Sequence, residues 1–175
     1  MVDEAYIDFG GESALSLLDK YENLLVIQTF SKSRAMAGMR IGYAIGNEKL
    51  ISYLNDVKFS FNSYTMNQTS IAMGVACVKD DAYFKDIVGK VVATRERVKK
   101  ELRDLGFSFP DSMSNFIFAT HETISAAELF EVCKKENIFV RYFKKPRIDN
   151  YLRISIGTDE EMDQLLQVLK TYIKQ

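Results

Sequence analysis

The apolar and polar positions of this chain alternate in several registers, and each register predicts an element. Residues 24–27 form a continuous apolar run, which predicts over 24–29 a strand buried on both faces. Residues 40–45 give a second strand, closed by Gly46-Asn47. Helical spacing predicts helices over 13–22, 48–57, 65–79 and 81–105, with Gly106 placed to stop the last. Residues 58–64 alternate aromatic and polar side chains and read as extended or looped.

After Gly106 the texture changes. Strands are predicted at 107–109, 115–119, 138–143 and 151–156; in the last, Leu152, Ile154 and Ile156 alternate with Arg153 and Ser155. Helices are predicted over 125–136 and 159–173, capped by Ser125, with Glu128 completing a capping box, and by Thr158. This half reads β-β-α-β-β-α, a small α+β domain with its helices on one sheet face. The expected domains are 1–82 and 83–175. The first segment, Met1 to Tyr6, reads as the end of a strand whose beginning is missing, so the chain is expected to be a piece of a longer protein.

Composition narrows the classes. The 175 residues are 47% hydrophobic and 27% charged, with a net charge of −1, which gives no electrostatic case for nucleic acid or an anionic membrane. No stretch is apolar for long enough to span a bilayer. The two cysteines, Cys77 and Cys133, read as buried thiols of a reducing cytoplasm. A lone histidine, His121, in an expected turn gives zinc or triad chemistry little to stand on. The charges of the long helix (Arg95, Glu96, Arg97, Lys99, Lys100, Glu101) read as a solvated face.

The segment from Thr29 to Gly42 is the chemically dense one. It sets Lys32 and Arg40 among hydroxyls between two strands, and glycines 38 and 42 suggest close backbone approach. A lysine there can serve as a Schiff-base amine. An aldehyde cofactor carrying a phosphate and a pyridine ring needs such a lysine, a cation and hydroxyls for the phosphate, a carboxylate on the ring nitrogen and a phenol near the ring hydroxyl. Lys32, then Arg40 with Thr29 and Ser31, then Asp3, then Tyr6 supply that set. If Asp3 and Lys32 lie at the C-terminal ends of neighbouring parallel strands, both face one crevice.

Asp3-Glu-Ala-Tyr6 followed by Thr29-Phe-Ser-Lys32 and Arg40-Ile-Gly42 resembles the class I and II aminotransferases of PLP fold type I, and among them most resembles the histidinol-phosphate aminotransferases. Tyr151-Leu-Arg153-Ile-Ser-Ile-Gly157-Thr is similar to the family's C-terminal arginine segment, Phe139-Val-Arg141 to the segment of a second anion-binding arginine, and Ser114-Asn115-Phe116 to the opening of the small domain. The resemblance implies an α/β chain: the C-terminal part of a large domain with a mixed three-layer sheet, then the small α+β domain. It implies pyridoxal 5'-phosphate as cofactor. Lys32 would bond to it and shuttle a proton, Asp3 would pair with the ring nitrogen and Tyr6 with the ring oxygen. Thr29, Ser31 and Arg40 would hold the phosphate. Arg153, aided by Arg141, would take the anionic groups of the substrates: an amino acid, a phosphorylated amino alcohol and a 2-oxo acid.

The family's N-terminal half, with its glycine-rich phosphate loop, ring-stacking aromatic and asparagine, has no counterpart here. Nor has the tyrosine that one subunit of the family's homodimer lends the other. The expected activity is therefore that of a longer parent, transaminating histidinol phosphate in histidine biosynthesis, with this chain alone inactive. Phosphothreonine decarboxylation and a non-catalytic sensor domain of a transcription regulator are the alternatives.

Overall fold

The computed structural model describes residues 1–174. The chain divides into two compact units, Met1–Val88 and Gly89 onward, a division that falls inside the long helix.

The first unit contains β1 (Val2–Asp3), β2 (Leu25–Thr29), β3 (Gly42–Gly46), α1 (Glu48–Phe61) and α2 (Gln68–Lys79), followed by the start of α3 (Asp81–Asp104). Its sheet is mixed and runs β1-β2-β3. β1 lies parallel to β2, with Asp3 opposite Ile27. β2 and β3 are antiparallel, and their register closes at Thr29 opposite Gly42. Asparagines start both complete helices: the Asn47 side chain accepts from Lys49 N–H and that of Asn67 from Ser70 N–H, satisfying donors that a first turn leaves without partners. Phe9, Val26, Phe30 and Ile41 form the buried core.

Three expectations for this unit are corrected. Residues 13–22 do not form a regular helix; a short 3-10 helix covers Ala14–Leu17, its start held by Ser13 and its end by Leu18 N–H on Leu15 C=O. Residues 58–61 belong to α1. Phe59 and Phe61 are exposed there, so no packing partner enforces the extended conformation that their alternation suggested. In β2 only Val26 is fully buried, although the strand is paired on both edges.

The second unit takes the rest of α3, then β4 (Phe107–Ser108), β5 (Phe116–His121), α4 (Ala126–Lys135), β6 (Arg141–Tyr142), β7 (Leu152–Ser155) and α5 (Asp159–Ile173). This is the expected β-β-α-β-β-α order. The strands form an antiparallel sheet in the order β4-β5-β7-β6. Ile117 and Ala119 on β5 and Leu152 and Ile154 on β7 point into one core with Val98 and Leu102 of α3, Leu129 and Cys133 of α4, and Leu165, Leu166 and Leu169 of α5. Each such fully buried aliphatic side chain contributes about 1.5–3 kcal/mol. A capping box starts α5: Thr158 accepts from Glu161 N–H, and the Glu161 carboxylate accepts from Thr158 N–H. At α4 only half of the expected box forms. Ser125 accepts from Glu128 N–H, while the Glu128 carboxylate takes the Tyr172 hydroxyl.

The charges of α3 are not uniformly solvated. Arg95 and Lys99 are each only 4% exposed. Arg95 donates to Ser114 C=O (3.0 Å) and Glu96 (2.9 Å), and Lys99 pairs with Glu96 and Asp111. His121 ends β5 instead of sitting in a turn, and it is buried. Its Nδ1 faces the N–H groups of Thr123 and Ile124, so the proton lies on Nε2, which donates to Leu105 C=O at 2.9 Å. Cys133 is buried as expected, whereas Cys77 is only partly so.

Candidate active site

In the first unit the parallel pairing of β1 and β2 brings their C-terminal ends to the same edge. Asp3 ends β1 and is exposed, with its Oδ1 accepting from Ala5 N–H at 3.0 Å. The chain leaves β2 at Thr29 and turns sharply: Ala35 N–H returns to Lys32 C=O and Met36 N–H to Phe30 C=O, both at 3.0 Å. This puts Lys32 on an exposed turn, with Nζ 5.4 Å from the centroid of the Tyr6 ring. Thr29 Oγ1 accepts from Ser31 N–H (3.1 Å) and lies 2.9 Å from Ser31 Oγ, so the two hydroxyls form one polar step beside the lysine turn.

Arg40 has left-handed backbone (φ 55°), rare for a residue with a side chain, and is exposed. Its Nη1 donates to Ala37 C=O at 2.8 Å. Gly42 lies where an added Cβ would stand 3.2 Å from Gln28 C=O, which fits the expected close approach; at Gly38 nothing lies within 4 Å, so that glycine answers to no such contact. Lys32, Tyr6, Thr29, Ser31, Asp3 and Arg40 therefore all belong to the first unit, with Lys32 beside Tyr6 and Thr29 beside Ser31.

Three neighbours of these residues carry structure that the sequence reading missed. Glu4 is 6% exposed, and its carboxylate accepts from Ser13 Oγ, Ala14 N–H (2.6 Å) and Gln28 Nε2 (2.9 Å). Burial acts to raise its pKa, but the hydrogen bonds from Gln28, Ala14 and Ser13 outweigh it and hold the group below the ordinary value. Ser33, 4% exposed, donates to Asp8. Arg34 packs on Phe84. Glu4 was visible within Asp-Glu-Ala-Tyr, and its place beside an aspartate at a strand end was the available signal.

In the second unit Arg141 and Arg153 face each other across β6 and β7. Their guanidinium carbons lie 5.4 and 5.9 Å from the Phe143 ring, and Arg153 also stands 5.4 Å from Phe116. Like charges directly opposite on a sheet repel. Arg153 Nε is buried and has no hydrogen-bond partner among the described residues. Phe118 of β5 stacks on Tyr151, just ahead of β7 (4.7 Å, 10°).

The Lys32 amine beside the Tyr6 phenol, with the paired Thr29 and Ser31 hydroxyls at the end of β2, has part of the chemistry that a phosphorylated aldehyde cofactor requires, while Arg40 contacts its own turn. The sequence profile of aminotransferases of class I and II matches residues 1–169. The chain belongs to that family. It is 55% identical over 175 residues to the histidinol-phosphate aminotransferase of Brachyspira hyodysenteriae, a match covering 99% of this chain and 49% of that protein. The crystal structure of the histidinol-phosphate aminotransferase from Clostridium acetobutylicum superposes with a TM-score of 0.88 at 28% identity, covering 98% of this chain and 53% of that one. The histidinol-phosphate aminotransferase from Sinorhizobium meliloti, solved in complex with pyridoxal-5'-phosphate, gives 0.83 at 28% identity, covering 98% of this chain and 48% of that one. The chain thus spans about half the length of the relatives it matches. The resemblance read from Asp3-Glu-Ala-Tyr6 and the lysine segment holds along the aminotransferase chain, and so does the α/β fold expected from it. Among the described residues no helix is long and apolar enough to cross a membrane, and no cluster of metal-ligating side chains occurs.

Proposed function

We propose that this aminotransferase chain carries the lysine-bearing part of a pyridoxal 5'-phosphate enzyme that exchanges an amino group between histidinol phosphate and 2-oxoglutarate in histidine biosynthesis. The observation that carries the reading is the exposed Lys32 turn, set over Tyr6 at the edge where β1 and β2 end together. The 55% identity to a histidinol-phosphate aminotransferase supports the choice of substrate. We further propose that residues 1–82 are the remnant of the cofactor-binding large domain and 83–175 the small domain, and that the whole enzyme is a cytoplasmic homodimer binding neither nucleic acid nor membrane.

When bound, the cofactor supplies an aldehyde that couples to amino groups and a ring that withdraws electrons from the substrate carbon. The residues do the rest. Asp3 would keep the ring nitrogen protonated, and Tyr6 would hydrogen-bond the ring oxygen. Thr29, Ser31 and Arg40 hold the phosphate through charge-assisted bonds. The Lys32 amine would hold the cofactor through its aldehyde carbon and would move the proton to and from the substrate carbon. Arg153 accepts the carboxylate of the amino-acid partner and the phosphate of the other substrate, its orphaned Nε gaining a partner, and Arg141 assists.

The chain alone, half the length of its relatives, does not turn over. The test uses protein of the relatives' full length. Added pyridoxal 5'-phosphate gives a visible absorption band, and Lys32→Ala abolishes it; a band that persists in the variant refutes the assignment. Amino transfer from glutamate to imidazole acetol phosphate supports the substrate reading. Carbon dioxide release from phosphothreonine, or no turnover at all, overturns it.

A further inference from the structure

We infer that Arg34 is a positioning residue that fixes the turn carrying Lys32 by capping the C-terminal end of α2. The inference rests on reading Lys32 as the cofactor-bonding lysine. The last four carbonyls of a helix have no partner within it. Cys77 C=O belongs to that last turn of α2, which runs to Lys79, and Arg34 Nη1 donates to it at 3.3 Å. A cation at that end also complements the helix dipole.

The guanidinium is held on a second side. Its carbon lies 4.0 Å from the Phe84 ring centroid and 5.4 Å from that of Phe30. Arg34 stands inside the turn that the Ala35 and Met36 hydrogen bonds close, immediately before Ala35, whose left-handed backbone (φ 52°) disfavours the turn unless neighbours enforce it. On the far side of Lys32's neighbour Ser33, the bond to Asp8 ties the same turn to the segment after Tyr6. The turn is thus pinned at both residues following the lysine.

Arg34 borders a cavity of about 260 Å³, which Met36, Met73, Cys77 and Phe84 also line. Truncating the guanidinium enlarges an existing void and removes its contact with α2. The direction of the Lys32 amine over Tyr6 then has one support in place of two.

The test compares wild type with Arg34→Gln and Arg34→Lys in the full chain. Amide exchange at Ala35 and Met36 accelerates at least tenfold in Arg34→Gln while Val26 keeps its protection, and Arg34→Lys, which retains a cationic donor for the Cys77 carbonyl, restores most of it. Borohydride trapping of pyridoxal 5'-phosphate, mapped by peptide mass, selects Lys32 over the exposed Lys20 in wild type and in a Val26→Ala control, and loses that selectivity in Arg34→Gln. Unchanged exchange at Ala35 and Met36 in Arg34→Gln overturns the inference. Absent selectivity for Lys32 in wild type counts against the cofactor reading instead, and the exchange data then decide Arg34's role by themselves.

Discussion

Replacing Glu4 with glutamine tests how the site's first strand is held. The substitution keeps the shape and removes one acceptor oxygen. Oε1 accepts from Ala14 N–H and Oε2 from Gln28 Nε2, while Ser13 Oγ touches both. Whichever way the new amide turns, its NH2 group meets a donor. A flip of Gln28 would relieve the clash only if the Tyr43 hydroxyl, which now donates to the Gln28 oxygen, turned to accept instead. One hydrogen bond to a buried charge is therefore lost, worth about 1.5–3 kcal/mol. With a typical slope this lowers the urea midpoint of the first unit by about 1–2 M, read from the resonances of Val26 and Ile27.

The acid limb gives a second readout. The folded pKa of Glu4 lies below its ordinary value of 4.5. A depressed carboxyl pKa contributes stability above the unfolded pKa and loses it as pH falls through the folded one. Wild type thus weakens progressively below about pH 4.5, and Glu4→Gln lacks that part of the slope. A variant within about 0.5 kcal/mol of wild type, with the same acid slope, refutes the clamp.

Other outcomes follow from the same coordinates. His121→Leu leaves the Leu105 carbonyl and the Thr123 and Ile124 amides unpaired and costs the second unit about 2–4 kcal/mol in urea denaturation. Burial pushes the Cys133 thiol up to about 11, so in native protein at pH 8 a disulfide reagent titrates Cys77 and reaches Cys133 only after unfolding. Phe61 and Tyr64 are 92% and 93% exposed near Phe59 and Val57, and the chain self-associates at high concentration; Phe61→Ser with Tyr64→Ser lowers the mass seen by light scattering.

The sequence was most legible where one face of an element is buried. Leu152 and Ile154 alternate with Arg153 because the sheet has a core side, and the stripe of α5 falls on Met162, Leu165, Leu166 and Leu169 for the same reason. It misled where nothing buries the pattern, as at Phe59 and Phe61, or where the partner is remote in sequence. Arg95 and Lys99 looked solvated because Ser114 and Asp111, which make their burial tolerable, are supplied by a segment beyond the helix. In the candidate site, the motif spacing located Lys32, Tyr6 and the Thr29–Ser31 step. Glu4 and Arg34 escaped because their roles depend on Ser13, Gln28, Cys77 and Phe84, which no local pattern ties to them.

The register of the two sheets also orders events in time. The cation-rich turn is closed by Thr29 meeting Gly42, whereas Arg153 is placed by β7 joining β5, where Phe116 meets Ser155 across a loop three times as long. Loop-closure entropy makes the longer closure costlier by about 1 kcal/mol. During synthesis the hairpin has both its strands out of the ribosome long before Ser155 is made. The hairpin that frames the lysine turn is therefore built early, Arg34 gains its hold once Cys77 and Phe84 have been made, and the arginine strand completes its sheet last. A chain that ends between residues 84 and 152 carries the held lysine turn without the completed arginine sheet.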